Sequence, residues 1–378
     1  MYYARKLVLD TVLRSKSCFL FGPRQSGKSS LIRSTLPDAQ VFDLLKMDTL
    51  NRLARNPSYL EEVCVADRPV VIDEIQKLPS LLDEVHRLIE GKGLRFLLTG
   101  SSARKLRKGG VNLLGGRARM RHLHPFSAAE LGAAFNLDRA LNFGLLPGIW
   151  FSDEPDEDLA GYVGLYLEQE VMQEGATRNL PAFSRFLEVA ALSNGEQINY
   201  AQIASDAQVP RSTVQEYFKI LRETLLAREL PVWGRGRTRK AVETSKYYMF
   251  DTGVVRKLQG RGRLVPGTAE YGHAFESWIL HELTSYVDCV RREAELCYWR
   301  TRTNLEVDFV VNGEVAIEVK TATVVKNGDL KGLRAISEEG AFRHRIVVSR
   351  EPRQRLVDGI EILPWQDFIA RLWSGEIF

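Results

Sequence analysis

Cysteine is scarce in this 378-residue sequence. The four present, Cys18, Cys64, Cys289 and Cys297, follow no metal-ligand spacing and are too few for a disulfide scaffold, so a reducing, cytoplasmic setting is expected. No apolar run reaches the roughly 18 residues that a membrane span needs. The opening "MYYARKLVLDTVLRSKS" is broken by charges and does not read as a secretory leader. Internal repeats and low-complexity tracts are also missing, which excludes solenoids and long linkers. What remains is 44% hydrophobic and 26% charged, the composition of a globular protein. Its length exceeds what one core serves and implies two or three domains.

Net charge is only +4, but it is uneven. Residues 211–263 hold 13 Lys and Arg against five Asp and Glu, a local +8, which leaves −4 for the rest of the chain. A basic segment in a mildly acidic protein suggests a surface for a polyanion, with a solvated face as the plainer reading.

Residues 17–150 alternate apolar runs, "SCFLFG", "AQVFDL", "RPVVIDE" and "LRFLLTGS", with amphipathic stretches such as "SLLDEVHRLIE". That alternation predicts a parallel sheet covered by helices. The first run leads into "GPRQSGKSS", with Gly22, four residues, then Gly27, Lys28 and Ser29. Glycines let backbone N–H groups turn onto phosphates, so Gly22, Pro23, Arg24, Gln25, Ser26, Gly27 and Ser30 form a cradle for ATP. Lys28 reaches its outer phosphates and Ser29 binds Mg2+. The third run delivers Asp73 and Glu74 to a strand end, Asp73 to hold the metal through water and Glu74 to polarise the attacking water. The fourth ends in Thr99, Ser101 and Ser102; Ser101 is the candidate γ-phosphate sensor, with a helix cap as the plainer use of these hydroxyls. Arg117, after two glycines, is a candidate finger toward a neighbouring subunit, in competition with Arg104, Arg119 and Arg121. His122 and His124 have no acidic partner nearby in sequence and are expected to be surface or packing residues.

The stretches "FGPRQSGKSSLI", "LEEV", "VVIDEIQKLPSLLDEVHRLIE", "RFLLTGSSARKL" and "GGRARMRHLHPFSAAEL" together resemble the AAA-type ATPases of bacteria and archaea. In that family the ATPase is typically followed by a domain of unknown function numbered 4143. The resemblance implies a P-loop ATPase and, since such sites often lie between subunits, a homo-oligomer. It supplies no cellular role.

"INYAQIASDAQVPRSTVQEYFKILRETLLAREL" reads as two helices across a tight turn, with Val214, Tyr217, Phe218 and Leu221 as one apolar stripe. Ser212 is placed to cap the second helix, near Pro210. Two strand-like runs separated by "RGRTRKAVE" follow, the order of a winged helix. On DNA, Arg211, Ser212, Thr213, Gln215 and Lys219 would face a groove, and Arg235, Arg237, Arg239 and Lys240 would grip phosphates. An interaction module or packing platform is the competing reading. Trp233 and Trp299 either stack on bases or, more simply, pack in a core.

The last third contains "LEVDFVVNGEVAIEVKTA", two apolar strands joined by Asn312-Gly313 with Asp308, Glu318 and Lys320 among them. Glu318 and Lys320, two apart on a strand, face the same way, and Asp308 lies across the turn. Two carboxylates can bind Mg2+ and the lysine can orient a hydroxide. Upstream, Glu276 on an amphipathic helix adds a carboxylate. The pattern is similar to the restriction-endonuclease-like nuclease core, which implies catalytic roles for Glu276, Asp308, Glu318 and Lys320 and metal ligation by Asp308 and Glu318. A structural ion pair, or a degenerate nuclease that only binds, fits the same residues.

The expected fold is α/β throughout. An AAA-type parallel-sheet domain (residues 1–160) precedes a helical and winged-helix module (161–265) and a restriction-endonuclease-like domain (266–378). Three functions are compatible: an ATP-driven enzyme acting on DNA, a signalling or assembly switch, and a DNA clamp that does not cut.

Overall fold

The computed structural model describes residues 3–108, 114–167, 179–234, 244–290 and 293–378. The four apolar runs become β1 Ser17–Phe21, β2 Gln40–Asp43, β3 Val70–Asp73 and β4 Phe96–Gly100, joined by β5 Ala118–His122. All five pair in parallel, in the order β2-β3-β4-β1-β5. Strands covered by helices on both faces carry unbroken apolar sequence rather than alternation, and β1 and β4 are buried along their whole length. The pleat sends Phe19 and Phe21 to one core, with Val85 and Leu88 of helix α2 Leu81–Lys92. Cys18 and Leu20 go to the other, with Leu31 and Ile32 of α1 Lys28–Thr35. β5 lies at the edge of the sheet and is half-buried throughout, which lets "ARMRH" keep its arginines. A short helix, α3 Arg104–Lys108, follows β4.

The middle of the chain packs α4 Leu180–Leu192, α5 Tyr200–Ala207 and α6 Arg211–Glu223. Asn179 and Asn199 cap the first two, Asn179 accepting the Ala182 N–H and Asn199 those of Ala201 and Gln202. Gln208 at φ +54° ends α5. The stripe on α6 is buried as its spacing requires: Tyr217 meets Phe183 with ring centroids 5.0 Å apart, and Phe218 meets Phe186 at 5.1 Å. Ser212 is not the cap of α6; Pro210 occupies that position and no side chain accepts a cap bond there. Proline at the boundary already fixes the entry, so the serine is left exposed inside the first turn. β6 Ala227–Leu230 and β7 Lys246–Met249 then form an antiparallel pair. They lead to α7 Thr252–Leu258, capped by Asp251.

A long helix, α8 Ala269–Val290, opens the last part. Its mixed six-stranded sheet runs β12-β13-β11-β10-β9-β8. The strands are β8 Leu296–Arg300, β9 Glu306–Val311, β10 Val315–Val319, β11 His344–Ser349, β12 Arg355–Val357 and β13 Ile360–Pro364. The β9–β10 hairpin turns at Asn312 (φ +53°) and Gly313 (φ +65°), closed by the Glu314 N–H to Val311 O bond. Helix α9 Lys331–Ile336 covers one face of this sheet; α8 and α10 Trp365–Ser374 cover the other. Residues 126–150, reached straight after the first sheet, pack into the α8 core: Phe126, Leu131, Leu141 and Trp150 share it with Trp278 and Phe309. The β6–β7 pair is tied to β8 by Trp233 N–H to Tyr298 O (2.6 Å) and Tyr298 N–H to Pro231 O (2.9 Å). No helix among the described residues is long and apolar enough to cross a membrane.

Candidate functional sites

The turn from β1 into α1 is shaped by two glycines. A Cβ on Gly22 would lie 2.3 Å from Leu123 O, and Gly27 adopts φ +97°. Lys28 is nearly buried, and its Nζ donates to Gly22 O (2.7 Å) and Pro23 O (3.1 Å), so the ammonium arches over the loop. Ser29 Oγ lies 3.4 Å from Asp73 Oδ2, bringing the two expected metal contacts together. Glu74 follows at φ +62°, a left-handed conformation that a bulky side chain adopts at a cost of roughly 1–3 kcal/mol. Gln76 Nε2 donates to its carboxylate.

The three hydroxyls after β4 divide their work. Thr99 Oγ1 donates to Asp73, and Ser102 Oγ accepts the Arg104 N–H at 3.3 Å as α3 begins. Ser101 is the one that lines the cleft. That cleft, of about 770 Å³, is walled by Arg24, Gln25, Lys28, Ser29, Ser30 and Glu74, with Leu45 and Leu50 on an apolar side. Its volume suits a nucleotide. Pro23 and Ser26 complete the loop; Arg5 Nη1 donates to Ser26 O at 2.8 Å.

Of the four arginines considered as fingers, Arg117 pairs with Glu90 on α2 and does not line the cleft of its own chain. Arg119 and Arg121 lie in the edge strand β5. Arg104 is buried against α6, with Nε 2.8 Å from Glu223 and Nη2 3.4 Å from Glu216. Its neighbour Lys105 lines the cleft.

On α6, Arg211, Ser212, Gln215 and Lys219 are exposed and Thr213 is half-buried. Lys219 lies 3.9 Å from Glu216. The glutamate edge of the helix therefore meets the first domain, while Arg211, Ser212 and Gln215 stay open. Arg235, Arg237, Arg239 and Lys240 lie outside the described residues.

In the C-terminal part the four expected residues come together. β9 and β10 pair Ile317 with Phe309, a register that continues to Glu318 beside Asp308. Asp308 Oδ2 accepts the Val319 N–H at 2.7 Å. Glu318 Oε1 lies 2.5 Å from Lys320 Nζ, whereas Glu318 Oε2 is buried with no hydrogen-bond partner among the described residues. Glu276 projects from α8 and accepts the Tyr248 hydroxyl at 2.5 Å. Burial raises Asp308 to about 7, helped by the charge of Glu276, and raises Glu318 to about 8, helped by the charge of Asp308. Glu276 is raised by burial too, against the pull of Lys246. Burial and the mutual repulsion of the three carboxyls outweigh the two ammonium groups beside them, Lys320 and Lys246.

Among the described residues, no group of three or more His, Cys, Asp and Glu side chains is arranged to hold a metal ion by itself. Mg2+ needs less, since it keeps several waters and takes one or two carboxylates. The orphaned Glu318 Oε2 beside Asp308 fits that demand.

Residues 14–132 match the family model of the AAA domain. The first domain is an AAA-type P-loop ATPase. Residues 134–264 match a Domain of unknown function (DUF8612), and 271–368 a Domain of unknown function (DUF4143). Two curated relatives, uncharacterized proteins of Mycobacterium tuberculosis and Mycobacterium bovis, are each 27% identical over 309 residues, 79% of this chain and 68% of theirs. Among solved structures, this chain is similar to a STAND signal-transduction ATPase with a tetratricopeptide repeat sensor from Pyrococcus horikoshii. That match has a TM-score of 0.24 and 14% identity, over 77% of this chain and 48% of that one. It is also similar to the RuvB Holliday junction branch migration motor of Thermotoga maritima, with a TM-score of 0.28 and 16% identity, over 59% and 87% of the two chains. Likenesses this loose say nothing of what this chain acts on.

One expectation around the AAA domain changes. His122 and His124 do have an acidic partner: Asp288 on α8, 2.6 Å from His124 Nε2 and 3.6 Å from His122 Nδ1. The sequence hid it because 164 residues separate His124 from Asp288. Burial pushes the Asp288 carboxyl up, but the hydrogen bonds of the two histidines prevail and hold it well below the usual range. Trp233 and Trp299 take the plainer of the two uses expected for them: they are buried in the α9 core and are not free to stack on bases. Arg5 was not foreseen either. It buttresses the phosphate loop through Ser26 O, binds Glu130 at 3.0 Å and donates to His124 O at 2.5 Å. A lone arginine before the first strand carries no motif that would mark it.

Proposed function

We propose that this AAA-type ATPase uses ATP hydrolysis to act on DNA and that its C-terminal part is a magnesium-dependent nuclease site. Support comes chiefly from the convergence of Glu276, Asp308, Glu318 and Lys320 from a helix and two strands, with one buried carboxylate oxygen left over. Asp308 and Glu318 would hold the ion, which when bound would supply a hydroxide nucleophile and a counter-charge to the phosphodiester. Lys320 Nζ, held by Glu318, would face the developing negative charge; Glu276 would fix the approach through its bond to Tyr248.

In the AAA domain, Lys28 neutralises the outer phosphates and Ser29 and Asp73 would hold Mg2+. Glu74, kept in place by Gln76, draws the proton of the attacking water, and Ser101 faces the γ-phosphate. The exposed Arg211, Ser212 and Gln215 of α6, in the basic segment 211–263, would meet DNA as the second helix of a winged helix, aided by Arg235, Arg237, Arg239 and Lys240. Homo-oligomerisation, with Arg117 reaching a neighbour's ATP, belongs to the same reading.

The test is cleavage of linear, branched and single-stranded DNA with Mg2+, with and without ATP. Asp308→Ala and Lys320→Ala should abolish cutting and leave ATPase activity intact. A second reading is favoured by Arg104, which ties α6 to the AAA domain through Glu216 and Glu223. In that reading the ATPase switches partner binding and nothing is cut. Protein that neither shifts DNA at low salt nor changes its ATPase rate with DNA would select it.

A further inference from the structure

The carboxylate site contains a cation from outside its own sheet. Lys246, the first residue of β7, is 3% exposed. Its Nζ lies 2.5 Å from Glu306 Oε1 and 3.6 Å from Glu276 Oε1, and 5.2 Å from the centre of the Tyr298 ring. Two residues along the same strand, Tyr248 gives its hydroxyl to that same Glu276 oxygen. Arg300 already serves the other oxygen of Glu306 at 2.9 Å. One strand of the middle module thus delivers an ammonium and a phenol to a carboxylate that sits electrostatically beside Asp308 and Glu318.

A lysine is an expensive choice for a strand buried this deeply. Its charge must be stripped of water, and a neutral side chain would pack at least as well unless the charge has a use. Glu306 alone, with its salt bridge, would satisfy a structural lysine. The reach to Glu276 is additional, and it falls beside the carboxylate pair that has an unpartnered oxygen.

Resting on the metal-site reading given above, we propose that Lys246 is a tethered counter-ion that competes with the divalent cation at the Glu276 side of the C-terminal site. With the β6–β7 pair docked on β8 through Pro231 and Trp233, the lysine supplies positive charge to the carboxylates and weakens metal binding. With that pair withdrawn, the Glu276 carboxylate would be left free to add its charge to the ion held by Asp308 and Glu318. Because β6 and β7 belong to the middle module, the C-terminal site answers to the position of a different part of the chain.

The test is Mn2+ binding to the full-length protein without nucleotide, followed by calorimetric titration and by the electron paramagnetic resonance of free ion. Asp308→Asn identifies the C-terminal ion. Lys246→Met should bind that ion at least tenfold more tightly than the wild type. Lys246→Arg should stay near wild type, and Lys246→Met with Asp308→Asn should lose the gain. If Lys246→Met does not fold, Lys246→Gln carries the same expectation. Asp308-dependent binding that is equal or weaker in Lys246→Met overturns the competition and leaves the metal reading standing. No Asp308-dependent binding in any of the proteins overturns both.

Discussion

Asp251 shows what one buried residue does for a junction. Its Oδ2 accepts Leu145 N–H at 2.7 Å and its Oδ1 accepts Val254 N–H at 3.1 Å, so it caps α7 and pins the loop before Pro147. Gly144 passes so close, at φ +76°, that an added Cβ would lie 1.9 Å from Asp251 Oδ1. Gly144→Ala should cost about 3 kcal/mol or more, read as a lower denaturant midpoint. Burial raises the Asp251 carboxyl from 3.8 to about 6 in spite of its N–H donors. The folded state therefore holds the proton more tightly than the unfolded chain. The stability this contributes is full below about pH 4 and is lost as pH rises through about 6, on the order of 2–3 kcal/mol. Asp251→Asn should flatten that part of the curve of unfolding free energy against pH. In the ATP cleft, Lys28→Ala should abolish hydrolysis, while Glu74→Gln should keep nucleotide affinity and lower kcat by roughly a hundredfold or more.

At the scale of elements, the phosphate loop was legible because its chemistry is local: a strand, a turn and a helix within a dozen or so residues. Asp73, 44 residues on from Ser29, and Glu74 after it were readable as the acidic end of an apolar strand. The Asn312-Gly313 hairpin was legible for the same reason as the loop, and so was the α6 stripe. Arg5, Lys246, and the Asp288 partner of His124 were not. Each finds its counterpart more than fifty residues away, and only the packed fold brings them together. Arg104 belongs with these. In sequence it is one more arginine after a strand; in the fold it is the ion-pair link between α3 and α6. Arg104→Ala would leave Glu223 facing a largely buried spot without its cation. Because Glu223 keeps some solvent contact, the cost should be about 2 kcal/mol, below that of a fully buried pair. A double-mutant cycle with Glu223→Ala should recover at least half of it as coupling.

The whole molecule is less separable than a chain of three sequence matches suggests. Residues 126–150 leave the first sheet and enter the core of α8 and α10. Tyr162, buried in the middle core, reaches Arg24 O in the phosphate loop at 3.3 Å. His124 meets Asp288 across the same boundary. A fragment of residues 1–160 should therefore expose the apolar faces of Leu131, Leu141 and Trp150, and should aggregate or melt well below the full chain in size-exclusion and thermal-unfolding measurements. This interlocking could not be read from periodicity, which reports that a face is apolar but not what covers it.

The indole of Trp233 lies against the Gly313 turn, where an added Cβ would come within 3.0 Å of its Nε1, and its ring centre is 5.4 Å from that of Phe342. It therefore stands at the seam where the β6–β7 pair meets the last sheet. An emission band that reddens when nucleotide or DNA is added, and stays fixed in Trp233→Phe, would make this side chain an optical gauge of that seam.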